Sequence, residues 1–110
     1  MQKISLDARV REHLERAATS SAGRSAETVY SGHEHALRQT LIALRSGTAL
    51  AEHENPGEAT LLVLRGRVRL RSGDDVWEGM AGDLLPVPPS RHSLEALEDS
   101  AALLTVAKIP

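Results

Sequence analysis

The chain has no cysteine and no phenylalanine, and only one tryptophan and one tyrosine in 110 residues. Without cysteine there is no disulfide, no thiolate metal centre and no thiol nucleophile. With so few aromatic rings there is no stacking platform for single-stranded nucleic acid. No uncharged stretch approaches the roughly 20 apolar residues of a membrane-spanning helix. The opening residues, Met1 to Val10, lack the apolar run of a signal peptide. Neither sign of charge dominates: 13 basic and 15 acidic residues leave a net charge of −2. That balance argues against a protein built to grip phosphate backbones or an anionic membrane. What is present, 41% hydrophobic and 25% charged residues, is the composition of one globular domain, expected to be cytoplasmic. Its chemistry must come from five histidines, from carboxylates or from a bound metal.

Apolar residues at Leu6, Val10, Leu14 and Ala17 or Ala18 follow a helical period, with Ser5 or Asp7 as cap and 19–23 as the end. Beyond that the pattern shortens. Runs at 37–44, 60–64, 67–71, 76–77, 83–87 and 103–107 are punctuated by Gly, Pro, Asn and Ser turns. Ser72-Gly73-Asp74-Asp75 has the character of a hairpin turn. Frequent short strands of this kind indicate an antiparallel sandwich or barrel. The expected division is an N-terminal helix and linker over 1–36 packing on a β-barrel over 37–110. Arg65, Arg67, Arg69 and Arg71 alternate and share a face, read as the solvated side of a strand with acidic partners, while Val68 and Leu70 point inward. No Gly-x-Ser-x-Gly elbow, phosphate-cradling glycine loop or His-Glu-x-x-His motif occurs.

Two stretches carry a family resemblance. Gly47, His53 and Gly66 fall at the offsets of the first cupin motif, and Gly82 and Pro88 fit the second, where Ser90 replaces a glycine and His92 comes one residue early. The chain thus resembles a small single-domain cupin. The resemblance implies a mostly β fold, a small double-stranded β-helix (jelly-roll) barrel with one N-terminal α-helix. It also implies metal ligands at His53 and His92. Asn55 stands where a second histidine is expected and Ala59 where a glutamate is expected. Asn55 is a poor replacement for imidazole toward Zn, Fe or Cu, and alanine offers no donor. Glu58 could substitute only if the strand slipped by one residue, which would flip side chains to the other face. His33 and His35, two residues apart on an extended segment, are further candidates for an open site holding Zn, Fe, Mn, Ni or Cu.

Three functions compete. The first is a small-molecule-binding barrel with a pocket of Gln39, Leu41, Asn55, Leu61, Val63 and Trp77, although Trp77 is more readily a core residue. The alternative is a mononuclear metal-dependent enzyme of dioxygenase, oxidoreductase or isomerase type using His53 and His92. The third is an interaction module, since cupins commonly pair through their sheets and a homodimer is expected. Neither a nucleic acid nor a membrane is an expected partner.

Overall fold

The structure is a computed structural model that describes residues 3–53 and 57–108, apart from the side chains of Glu52 and His53. Ser5 opens helix α1 (Leu6–Thr19) by accepting the Ala8 backbone N–H at 3.2 Å, with Asp7 in the first turn and Arg16 in the last. The helix closes where the Ser20 N–H reaches the Arg16 carbonyl at 2.9 Å. No helix among the described residues is long and apolar enough to cross a membrane.

Among the described residues nine strands follow: β1 (Arg24–Tyr30), β2 (Leu37–Leu44), β3 (Ala49–His53), β4 (Ala59–Arg65), β5 (Arg67–Ser72), β6 (Asp75–Met80), β7 (Leu84–Val87), β8 (His92–Ala96) and β9 (Ser100–Ala107). They form two antiparallel sheets, one ordered β1-β2-β9-β4-β7 and the other β3-β8-β5-β6. Strand β1 lies within the stretch expected to be helix and linker. Its residues, Arg-Ser-Ala-Glu-Thr-Val-Tyr, carry little apolar alternation, and pairing with β2 is what makes them a strand. Strands β3 and β8 are short and were likewise not separable as apolar runs.

The core lies between the sheets, where Leu44, Leu61, Val63, Val68, Leu70 and Leu94 are among its buried residues. The five-stranded sheet is covered on its other face as well. There Val10 of α1 packs on Leu41 and Ala101, with Leu14, Val29 and Leu64 around them. The outer face of the four-stranded sheet is solvated. Arg69 sits between its register partners Glu78 (3.5 Å) and Glu95 (3.4 Å), and Arg67 approaches Glu98 at 3.9 Å. Arg65 pairs with Asp7 of the helix at 2.9 Å. Arg67 and Arg69 are thus a partnered wet face on β5, whereas Arg65, expected to share it, belongs to β4 in the other sheet.

At the closed end of the barrel, Gly66 turns β4 into β5 with φ +79°, and a Cβ there would collide with the Asp99 carbonyl oxygen and with Ser100. Ser100, 1% exposed, accepts the Arg67 N–H at 3.0 Å and donates to the Glu98 carbonyl at 2.7 Å, fastening β9 to the same turn.

The helix is held by a polar contact inside its apolar one. His13 is 2% exposed, and both ring nitrogens are engaged. Nε2–H donates to Glu27 Oε1 at 2.8 Å, and Nδ1 is hydrogen-bonded to the Ser25 hydroxyl at 2.6 Å. The hydrogen bond from His13, and then the charges of Arg9, His13 and Arg16, hold the Glu27 carboxyl below the usual glutamate range. A carboxylate lowered in this way stabilises the fold above the usual glutamate range, and the contribution is lost as pH falls through the lowered value. His13→Ala is expected to cost roughly 2–3 kcal/mol, because it strands two polar partners and leaves a void. In urea melts between pH 7 and pH 3, the difference between wild type and Glu27→Gln should narrow on acidification. A pH-independent difference would remove Glu27 from the clamp.

Candidate functional site

Alternation along each strand decides which side chains enter the barrel. On β2, Ile42 and Leu44 turn inward, whereas Leu41 and Ala43 turn toward the helix. Register then builds two facing rows. Across the five-stranded sheet, Thr40 stands beside Leu104, Leu104 beside Leu61, and Leu61 beside Leu85. Across the other sheet, Leu50 stands beside Leu94, Leu94 beside Leu70, and Leu70 beside Trp77.

Between these rows is a cavity of about 90 Å³. The five-stranded sheet lines it with Ile42, Leu61, Val87 and Leu104. The four-stranded sheet contributes Leu50, Leu70, Leu94 and His92, the one polar side chain of the wall among the described residues. His92 is 3% exposed, and its Nδ1–H donates to the Ser90 carbonyl at 2.9 Å. A carbonyl only accepts, so this bond places a proton on Nδ1. The loop before His92 is secured by hydroxyls. Ser90 donates to Ser72 Oγ at 2.7 Å, and Ser72 donates to the Arg91 carbonyl at 2.9 Å. The serine in place of the motif's glycine therefore ties the loop to the end of β5.

Of the residues singled out in the sequence, His92 and Leu61 meet in the cavity wall. The β3–β8 ladder sets the backbone of His53 opposite that of His92. Asn55 lies outside the described residues. Leu41 does not line the pocket. It is fully buried on the opposite face against Val10 and Ala101, and Ile42 takes its place. Gln39 shares that outward parity and donates from Nε2 to Thr105 Oγ1 at 3.1 Å. Val63 is buried in the core, not in the cavity wall. Trp77, on the cavity side of edge strand β6, is 41% exposed and fills no part of the core, because a sheet edge gives the indole nothing to pack beneath. Ile42, Leu50, Leu70, Leu94 and Leu104 were missed as pocket residues. Only the alternation of their strands could have marked them.

The other proposed ligands do not gather at His92. His33 and His35 are exposed in the β1–β2 connection, where the His35 ring lies 5.1 Å from that of Tyr30. Glu58 is exposed and lines a groove on the outside of the barrel, and the buried methyl of Ala59 follows it. Among the described residues, no group of three or more His, Cys, Asp or Glu is placed to hold a metal ion. Of the four positions the resemblance assigns to a metal, His92 lies in the cavity wall and Ala59 offers no donor, while the side chains of His53 and Asn55 lie outside the described residues.

No family model and no curated protein matches the chain. Solved structures do. A conserved protein of unknown function from Streptococcus pyogenes superposes with a TM-score of 0.73 at 23% identity, over 83% of this chain and 79% of that one. A cupin superfamily protein from Desulfitobacterium hafniense gives 0.72 at 17% identity over 78% of each chain. A cupin-2 domain-containing protein from Shewanella frigidimarina gives 0.69 at 13% identity, covering 96% of this chain and 94% of its own. At such identities the likeness is one of fold. Two antiparallel sheets closed around a small interior, with one N-terminal helix, define a jelly-roll barrel. The barrel is a small cupin-fold domain.

Proposed function

We propose that the barrel interior binds a small, predominantly apolar molecule. The observation that supports this is the cavity itself, walled among the described residues by seven aliphatic side chains and one imidazole, His92, to orient a guest. Its size suits a group smaller than benzene, which occupies engineered apolar cavities of about 150 Å³. Titration with 1-butanol, followed by amide shifts in an NMR spectrum, is expected to give saturable changes at Leu61, Leu94 and Leu104. Leu104→Phe, which fills the cavity, should abolish them while the protein stays folded. Shifts that grow linearly without saturation, or that survive the filling variant, would sink the reading.

A second reading, a metal-dependent cupin enzyme, rests on the register that brings His53 opposite His92. Elemental analysis of untagged protein would support it if about one Zn, Fe, Mn, Ni or Cu per chain is found and is lost in the His53→Ala/His92→Ala variant. Folded, metal-free protein would remove it.

A homodimer is supported by the outer face of the five-stranded sheet beyond α1. There Leu37, Thr60, Pro86 and Thr105 border a groove of about 720 Å³, with Leu84 59% exposed on the same face. Apart from Glu58, the side chains bordering the groove carry no charge, so a second copy of the same face matches them better than a strongly charged partner does. Light scattering should give twice the chain mass at micromolar concentration, and Leu84→Lys should halve it. A monomeric wild type would end this proposal.

A further inference from the structure

The two sheets of the barrel are unequal. The five-stranded sheet ends in β1 and β2, and the four-stranded sheet ends in β3. On the inward face of β1, Arg24, Ala26 and Thr28 are all exposed, so nothing among the described residues covers that side. The wall residues nearest this overhang, Ile42, Leu50 and Leu104, are only partly buried, whereas Leu61, Leu70 and Leu94 are buried. The cavity therefore opens toward the overhang, between β2 and β3.

Register makes the overhang a continuation of the cavity wall. Thr28 stands beside Thr40, Thr40 beside Leu104, and Leu104 beside Leu61. Directly paired residues of antiparallel strands share a face, so two hydroxyls and two cavity leucines lie in one line. The hydroxyl oxygens of Thr28 and Thr40 are 3.4 Å apart. Next to this line, Arg38 is paired with Val106, a core residue of the same face. On this face of β1 and β2 the charged side chains are Arg24 and Arg38. The one carboxylate of these strands, Glu27, is turned to the opposite face, where it holds His13.

We infer that the cavity and this ledge form one site for a small amphipathic anion: a short aliphatic carboxylate, its tail among Leu61, Leu94 and Leu104 and its head on Arg38 and the Thr28/Thr40 hydroxyls. The inference rests on the reading that the barrel interior binds a small molecule, and it names the chemical class of that molecule. An arginine fork matches both oxygens of a carboxylate, and a threonine hydroxyl can donate to one of them. An apolar space of about 90 Å³ takes a tail of roughly three or four carbons. Arg24 at the far end of the ledge adds a second positive charge and steers the anion in.

Three probes separate the parts: valerate has tail and charge, 1-butanol a tail alone, and acetate a charge alone. In calorimetric and NMR titrations at low salt, valerate is expected to bind about tenfold more tightly than 1-butanol, with acetate weaker than either. Valerate should shift the amides of Thr28, Arg38 and Thr40 together with those of Leu61 and Leu104. Arg38→Gln should lower valerate affinity to that of 1-butanol and leave 1-butanol unchanged. Thr40→Val, on an already folded strand, should give a smaller loss in the same direction. Equal binding of valerate and 1-butanol, or an Arg38→Gln protein that still prefers valerate, would overturn the ledge and leave the apolar cavity standing. Binding of 1-butanol with valerate excluded, in a dimer whose second copy covers β1, would also overturn it. Failure of both tailed probes would bring down the cavity reading and this one together.

Discussion

The five-stranded sheet is covered on both faces, and the rest of the molecule depends on that constraint. One face closes the barrel, and part of the other receives helix α1. A strand buried on both sides has no face to spare, so a slip of one residue would exchange the two apolar sets and ruin both contacts. Strand β2 shows this most directly. Leu41 and Ala43 are taken by the helix and Ile42 and Leu44 by the barrel, along one uninterrupted eight-residue pairing with β9. His13 reinforces the arrangement from outside. Its ring sits among apolar neighbours only because Ser25 and Glu27, on the helix-facing side of β1, satisfy both nitrogens.

The same packing accounts for the character of the interior. Where the cupin pattern expects a glutamate, the chain places the small buried side chain of Ala59. Among the described side chains the cavity wall has one imidazole, and a backbone carbonyl accepts its Nδ1–H. A wall of this kind excludes water and rewards shape and apolar area. Polarity returns only at the rim, where the larger sheet outruns the smaller one and exposes threonine and arginine on the cavity-facing side. A guest that uses both parts must be apolar at one end and anionic at the other.

Much of the fold was legible from spacing. The cap at Ser5, the run 37–44 and the glycine between β4 and β5 needed only local rules, because capping, apolar runs and positive φ are properties of a few neighbouring residues. The strands that escaped were those held by their partners. Arg24–Tyr30 alternates half-buried with exposed residues and has little apolar signal, and β2 is what orders it. Arg67 and Arg69 were legible as a wet face, since their acidic partners had to be somewhere near. Which carboxylates they were, Glu78 and Glu95 about Arg69, depended on strands distant in sequence.

The site divided along the same line. The sequence brought out His92 through the cupin resemblance and Leu61 through its apolar run. It could not choose between Leu41 and Ile42, since both are apolar and the difference is only which way a residue points once the sheet has two covered faces. Nor could it foresee that Trp77 would stand half-exposed on an edge strand. Composition, turns and periodicity determined that this chain makes a helix and a closed pair of sheets. Tertiary packing decided which side chains face the cavity, because parity becomes meaningful only when something lies on each side of the strand.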